Sequence, residues 1–264
     1  MKLGYLLVET QPLKGSANMA VDEFLFRSLT NELRTFIRFY RWERPTASLG
    51  CSQISGKVID LEFCRKHGID VVRRITGGKL VLHEREITYS VCSSDRQTFS
   101  ATLAGSYKLI SQALTRGLEK MGLRPSLAEK TPPSYAKGSL PCFSCPARDE
   151  VEVNGKKIIG SAQKRSGTKF LQHGSIPLAH DEDLLKAVSL LKEDGTEMRM
   201  TSLSEALGRS VDFLWAVERL AAGFEEFFGM RLEPMTLTGL ERKEILDIQK
   251  NKYENDEWTL HGSN

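Results

Sequence analysis

The sequence predicts a fold that mixes helices with strands, and three stretches carry the prediction. A hairpin is written into Glu150–Ile159, where Asn154-Gly155 separates the alternating runs Glu150–Val153 and Lys156–Ile159. A type I′ turn needs positive φ at both central residues, and Asn-Gly supplies it. A helix is written into Ala101–Met121: Leu103, Tyr107, Ile110, Leu114, Leu118 and Met121 recur at steps of three and four, and Gly122 follows. From Asp181 onward the pattern is helical, with runs at Asp183–Leu191, Asp212–Phe228 and about Gly239–Tyr253.

The remaining elements follow in order. Leu3–Glu9 reads as a first strand. Ser16–Leu29 reads as a helix with Ala20, Val21, Phe24, Leu25, Ser28 and Leu29 on one face, and with Asp22 and Glu23 in early turns that suit the helix dipole. Thr35–Arg41 alternates as a strand that sets Ile37 and Phe39 on one face. Leu61–His67 is a short helix closed by Gly68. Ser126–Leu140 is a polar, proline-containing loop that leads to Cys142, of a length common in functional connections. Gly160-Ser161-Ala162 reads as a small-residue turn, and Phe170–Pro177 as a strand carrying His173.

The totals narrow the class. A chain of 264 residues with 40% apolar and 27% charged residues is an ordinary globule with room for a sizeable core. A net charge of +3 is too small to argue for nucleic acid and is compatible with acidic protein partners. The opening MKLGYLLVETQ makes a poor signal peptide, and no run approaches the roughly 18 apolar residues of a membrane helix. Five scattered cysteines, at 51, 64, 92, 142 and 145, argue against a disulfide framework and for a reducing cytoplasm.

Some residues invite chemistry. The hairpin folds the chain back, so the Cys142 thiol and the Lys157 ammonium can lie close, and a positive charge favours the nucleophilic thiolate. The plainer alternative is a packed cysteine and an exposed strand lysine. Gly77-Gly78 lets the backbone approach a ligand, and Arg73 beside it could hold a phosphate or a carbonyl. His173 is either a site residue or a satisfied core histidine. Cys142-Phe-Ser-Cys145 lacks the second pair that a zinc site needs, so no metal is expected. Cys145 is open between a packing residue and a redox partner of Cys142.

Several strings together resemble the biotin/lipoate protein ligase family, and within it the octanoyltransferases of the LipM type. They are NMAVDEFL, WERPTASLGCSQ, RRITGGKLVLHE, CFSCP, NGKKIIGSAQ, QHGS and the closing YENDEW. The resemblance runs from Asn18 to Trp258. Lys79 stands where ligases have a third glycine, and Glu84 where an aspartate is usual. The resemblance implies one α+β domain over 1–264, built on a mixed, largely antiparallel sheet with packed helices and a helical C-terminal segment from about 181. It implies Cys142 and Lys157 as catalytic residues, and Arg73, Gly77, Gly78, His83, Gly160, Ser161, Ala162 and His173 as substrate-binding residues. The implied reaction carries octanoate from octanoyl-acyl carrier protein, through a Cys142 thioester, to a lysine of a lipoyl-domain acceptor. That acceptor would be the glycine cleavage H protein or a 2-oxoacid dehydrogenase E2. No cofactor, nucleic acid or membrane enters. An ATP-dependent lipoate-protein ligase and an octanoyl-H-protein amidotransferase are the alternatives.

Overall fold

The computed structural model describes residues 2–30, 32–131, 148–191 and 199–262. Strand β1 (Lys2–Val8) leads into helix α1 (Gly15–Ser28), and β2 (Thr35–Tyr40) and β3 (Thr46–Leu49) follow. Two short helices, α2 (Ser55–Val58) and α3 (Leu61–Lys66), precede β4 (Asp70–Arg73), β5 (Val81–His83) and β6 (Glu86–Ser93). Helix α4 (Leu103–Glu119) has the Thr102 hydroxyl accepting from the Gly105 amide, which satisfies one of the free donors of the first turn. Strand β7 (Pro125–Leu127) and then β8 (Val151–Val153), β9 (Lys156–Ser166) and β10 (Lys169–Pro177) come next. Helices α5 (Glu182–Val188) and α6 (Leu203–Leu207) lead to α7 (Phe213–Phe228), which starts on an Asp212 cap and stops at Gly229 with φ 58°. Strand β11 (Met230–Pro234) and helix α8 (Gly239–Ile248) follow. A wider-turn stretch, Gln249–Tyr253, continues α8, and a second, Glu257–His261, lies beyond it.

The main sheet has the order β11-β1-β2-β6-β10-β9-β8-β7, and β4-β3-β5 forms a smaller one. Among the described residues, β11–β1 and β1–β2 are parallel in the main sheet, and the other neighbours run antiparallel. The fold is therefore α+β, with a mixed, largely antiparallel sheet, as expected. The Asn154-Gly155 hairpin forms, with φ 53° and 73° at its two turn residues.

Period-two alternation gives the sheet two faces. Ile37 and Phe39 of β2 and Ile87, Tyr89 and Val91 of β6 pack with α4 and α7. Their neighbours Phe36, Tyr40 and Cys92 pack with α1, α8 and the C-terminal residues Tyr253 and Trp258. On the α1 face, polar residues interrupt the apolar ones: Arg38, Thr88, Ser90, His173 and Ser175 are all buried. The candidate site lies on that face.

Two expectations need correction. Gly160-Ser161-Ala162 is not a turn. It lies inside β9, paired with Ser175, Gly174 and His173 of β10. The small side chains serve close packing, since a Cβ on Gly174 would sit 2.5 Å from the Gly160 carbonyl oxygen. The segment after 181 is also not wholly helical. Met230–Pro234 returns to the main sheet and pairs with Lys2–Leu6 at its edge.

The α4–α7 crossing generates a test. A Cβ on Gly223 would lie 2.4 Å from the Gly117 amide nitrogen and 2.7 Å from the Ala113 carbonyl oxygen. These are backbone atoms and cannot swing aside. Gly223→Ala should lower unfolding stability by about 1–3 kcal/mol in urea titration, despite alanine's better helix propensity. Gly56→Ala, where nothing lies within 4 Å, should be nearly neutral in the same titration.

Candidate active site

A narrow cleft opens on the α1 face. Its floor is the row Gly160, Ala162, His173, Ser175 and Thr88, contributed by β9, β10 and β6. Met19 of α1, with Tyr40 and Trp42, forms one wall. Ser48, Val81 and His83 of the small sheet form another, joined by Arg74. The Gly77-Gly78 loop closes over it: a Cβ on Gly78 would come 3.5 Å from the Ala162 Cβ and 2.8 Å from the Arg74 guanidinium. Gly78 also has φ +96°, a conformation open to glycine and strained for other residues.

Two buried carboxylates organise the walls. Asp22 of α1 accepts from Arg38 Nη1 at 2.8 Å, Tyr40 Oη at 3.0 Å, Ser90 Oγ at 2.9 Å and His173 Nδ1 at 3.0 Å. A carboxylate at Nδ1 fixes the proton there, so His173 Nε2 accepts from Thr76 Oγ1 at 2.7 Å. Thr76 precedes the glycines, so this chain ties the glycine loop to α1. Glu86, at the head of β6, is the second carboxylate and faces His83 Nδ1 at 2.9 Å. Ser48 Oγ meets the other nitrogen, His83 Nε2, at 2.8 Å and accepts from Arg74 Nη1 at 2.9 Å.

The electrostatics follow from burial. Burial alone would raise the Asp22 carboxyl, but Arg38, His173 and Ser90 outweigh it and hold it below the usual value. Burial pushes the His173 ring down from its ordinary 6.5, more strongly than Asp22 pulls it up, with Arg74 and His83 adding to the fall. His173 is therefore neutral at pH 7.

The expected site residues divide. His83, Gly160, Ser161, Ala162 and His173 line the cleft, and Gly77 and Gly78 form its closing loop. Arg73 does not reach the cleft. Its Nε donates to the Trp258 and Thr259 carbonyls, Nη1 to those of Gly50 and Gln53, and Nη2 to that of Leu260. Arg74 is the arginine of the cleft, and it holds the glycine loop through the carbonyls of Gly77 and Lys79. Lys157 is also absent from the cleft wall. It is fully buried, and its ammonium pairs with the buried Glu150 at 2.8 Å. The Lys157 amide donates to the Arg199 carbonyl and its own carbonyl accepts from Thr201, so the backbone is held as firmly as the ammonium. Cys142 and Cys145 lie outside the described residues, and so does their proximity to Lys157. Cys64 and Cys92 are poor nucleophile candidates, because burial raises one thiol to about 11 and the other well above its usual value. No cluster with the makings of a metal site occurs among the described residues. None of their helices is long and apolar enough to cross a membrane.

Asp22, Glu86 and Thr76 were not expected here. The available signal was the run of polar residues at alternate positions of otherwise buried strands.

A glycine loop beside a sheet-floored cleft, with buried histidines lining it, is the feature that sets this α+β fold apart. The chain belongs to the lipoyl protein ligase A/B catalytic domain family, whose pattern matches residues 14–225. It is 40% identical over 261 residues to a protein named octanoyltransferase LipM from Kyrpidia tusciae, covering 93% of this chain and 95% of that one. It is 37% identical over 258 residues to octanoyltransferase LipM from Geobacillus kaustophilus, covering 92% and 93%. Among solved structures it is similar to a bipartite lipoate protein ligase from Thermoplasma acidophilum, described with its E2 lipoyl domain. The TM-score is 0.84 at 22% identity, over 100% of this chain and 98% of that one, a likeness of fold.

The His173 environment predicts a pH effect on stability. A folded-state value below the unfolded 6.5 means that the unfolded chain binds more protons as the pH falls. The contribution is therefore complete above pH about 6.5 and is lost as the pH drops through the folded value. Wild type should lose melting temperature from pH 7 to pH 5, and His173→Gln should show a flatter decline over the same range.

Proposed function

We propose that the protein is an acyltransferase of protein lipoylation, moving an octanoyl group from octanoyl-acyl carrier protein to a lysine of a lipoyl-domain acceptor. The observation that carries the reading is 37–40% identity to octanoyltransferases over 92–93% of the chain. The cleft supports it, since a medium alkyl chain gains from burial by about 0.8 kcal/mol per methylene.

The proposed chemistry has two steps. The Cys142 thiolate attacks the thioester carbonyl carbon of the donor, and the carrier leaves as its thiolate. The neutral amine of an acceptor lysine then attacks the octanoyl-Cys142 carbonyl. The Cys142 thiolate leaves, and the amine's proton passes to the medium. The first step exchanges one thioester for another and the second makes an amide, so neither calls for ATP. Lys157 is assigned to hold down the thiol pKa and to stabilise negative charge on the carbonyl oxygen. Glu150 is the counter-ion that such a buried ammonium needs. Gly77, Gly78, His83, Gly160, Ser161, Ala162 and His173 are assigned to enclosing the chain. Glycine cleavage H protein and a 2-oxoacid dehydrogenase E2 are the acceptors considered, and the cytoplasm is the setting.

Intact-mass spectrometry after mixing with octanoyl-acyl carrier protein, without ATP, tests the reading. One octanoyl group labile to hydroxylamine should appear, and Cys142→Ala should lack it. Equal labelling of Cys142→Ala would remove the covalent step, and transfer only from free octanoate with ATP would make the protein a ligase. Lys157→Ala should slow Cys142 alkylation by iodoacetamide at neutral pH by tenfold or more, if about one unit of thiol pKa depends on it.

A further inference from the structure

The cleft poses a problem of chemistry: many of its lining residues are polar, yet an alkyl chain needs apolar walls. The solution lies behind the wall. Glu86 is buried and is not itself a lining residue, but its four hydrogen-bond partners, Trp42, His83, Thr88 and Ser175, all line the cleft. Its Oε1 faces His83 Nδ1 at 2.9 Å and accepts from the Thr88 hydroxyl and, at 3.3 Å, from Trp42 Nε1. Its Oε2 accepts from Ser175 Oγ at 2.5 Å. The Thr88 hydroxyl also accepts from Trp42 Nε1 at 2.7 Å. The Trp42 and His83 rings stack at 4.1 Å with 12° between their planes.

The donor protons of Trp42, Thr88 and Ser175 are thus all engaged within the wall, on Glu86 or on one another. Asp22 does the same for Tyr40 and His173 on the neighbouring wall. We propose that Glu86 is a specificity-determining residue of the cleft: by drawing the polar groups of the wall backward, it makes the cleft accept a plain alkyl chain and refuse a hydroxylated one. A hydroxyl entering the cleft leaves water and meets no free donor in this wall, and exchanging water for such a wall costs roughly tenfold or more in affinity. The inference rests on the octanoyl reading of the site and names the feature that selects the chain.

Glu86→Gln is the direct test. The amide nitrogen that replaces one carboxylate oxygen can donate but not accept, so one or two wall groups lose their partner and turn toward the cleft. Isothermal titration with octanoate and with 6- and 8-hydroxyoctanoate reads the effect without any acyl transfer. Wild type should prefer octanoate to each hydroxy acid by roughly tenfold or more, and Glu86→Gln should narrow the preference to within about threefold. Glu86→Asp, which draws the carboxylate back by one methylene from Ser175, Thr88 and Trp42, should narrow it in the same direction and serves if Glu86→Gln does not fold, whereas Thr88→Val, which leaves Trp42 on Glu86, should not narrow it. A role confined to stability would weaken all three acids alike. An unchanged preference in the folded Glu86 variants, or no preference or no binding in wild type, overturns the proposal. Failure of the acyl-enzyme experiment together with an intact preference would instead overturn the transferase reading.

Discussion

The ion pair between Asp22 and Arg38 is the contact on which the rest of the site depends. Both side chains are almost fully buried, and at 2.8 Å they join α1 to the middle of the sheet. Such a pair is expensive to leave half-made, because a single buried charge has no water to answer it. Helix α1 therefore has essentially one way to sit on β2. That seating fixes Met19 in the cleft wall and Asp22 against His173. Glu9 holds the other side of the same guanidinium, so the cation is shared between two carboxylates.

The site is a set of fixed dipoles arranged from the back. Buried carboxylates, Asp22 and Glu86, hold the hydroxyls, rings and imidazoles that line the cleft. Fully satisfied, a buried polar network of this kind rigidifies a core and specifies one arrangement of it. The Lys157–Glu150 pair sits apart from these networks, held between β8, β9 and the Arg199–Thr201 segment. Its neighbour Glu152 has a raised carboxyl value, caused first by burial and then by the Glu150 charge.

Much of this was legible in the sequence, and the misses have physical reasons. The hairpin at Asn154-Gly155 and the long helix at 103–119 are local, periodic features. They depend on neighbours in sequence and so can be read there. Strand β11 has no such signature. Five residues ending in proline become a strand only because β1, more than two hundred positions earlier, offers a free edge. Gly160 resembles a turn in one dimension, whereas in three it marks the close approach of β10. The paired arginines could not be told apart by motif. Adjacent residues of an extended chain point in opposite directions, and only the surrounding carbonyls decide that Arg73 serves the C-terminal segment and Arg74 the cleft. In one dimension Asp22 looks like a helix-dipole residue, because its partners Arg38, Ser90 and His173 lie on three different strands.

The Arg73 contacts carry a consequence for how the protein is made. Arg73 binds the carbonyls of Trp258, Thr259 and Leu260, and the Trp258 indole donates back to the Arg73 carbonyl at 2.9 Å. The glycine loop begins only a few residues beyond Arg73, so its foundation includes chain that a ribosome synthesises about 185 residues later. The sheet and α4 can assemble during translation, but this anchor cannot close until residues 258–260 have left the exit tunnel. A nascent chain short of that point holds a cleft whose loop is not yet fastened.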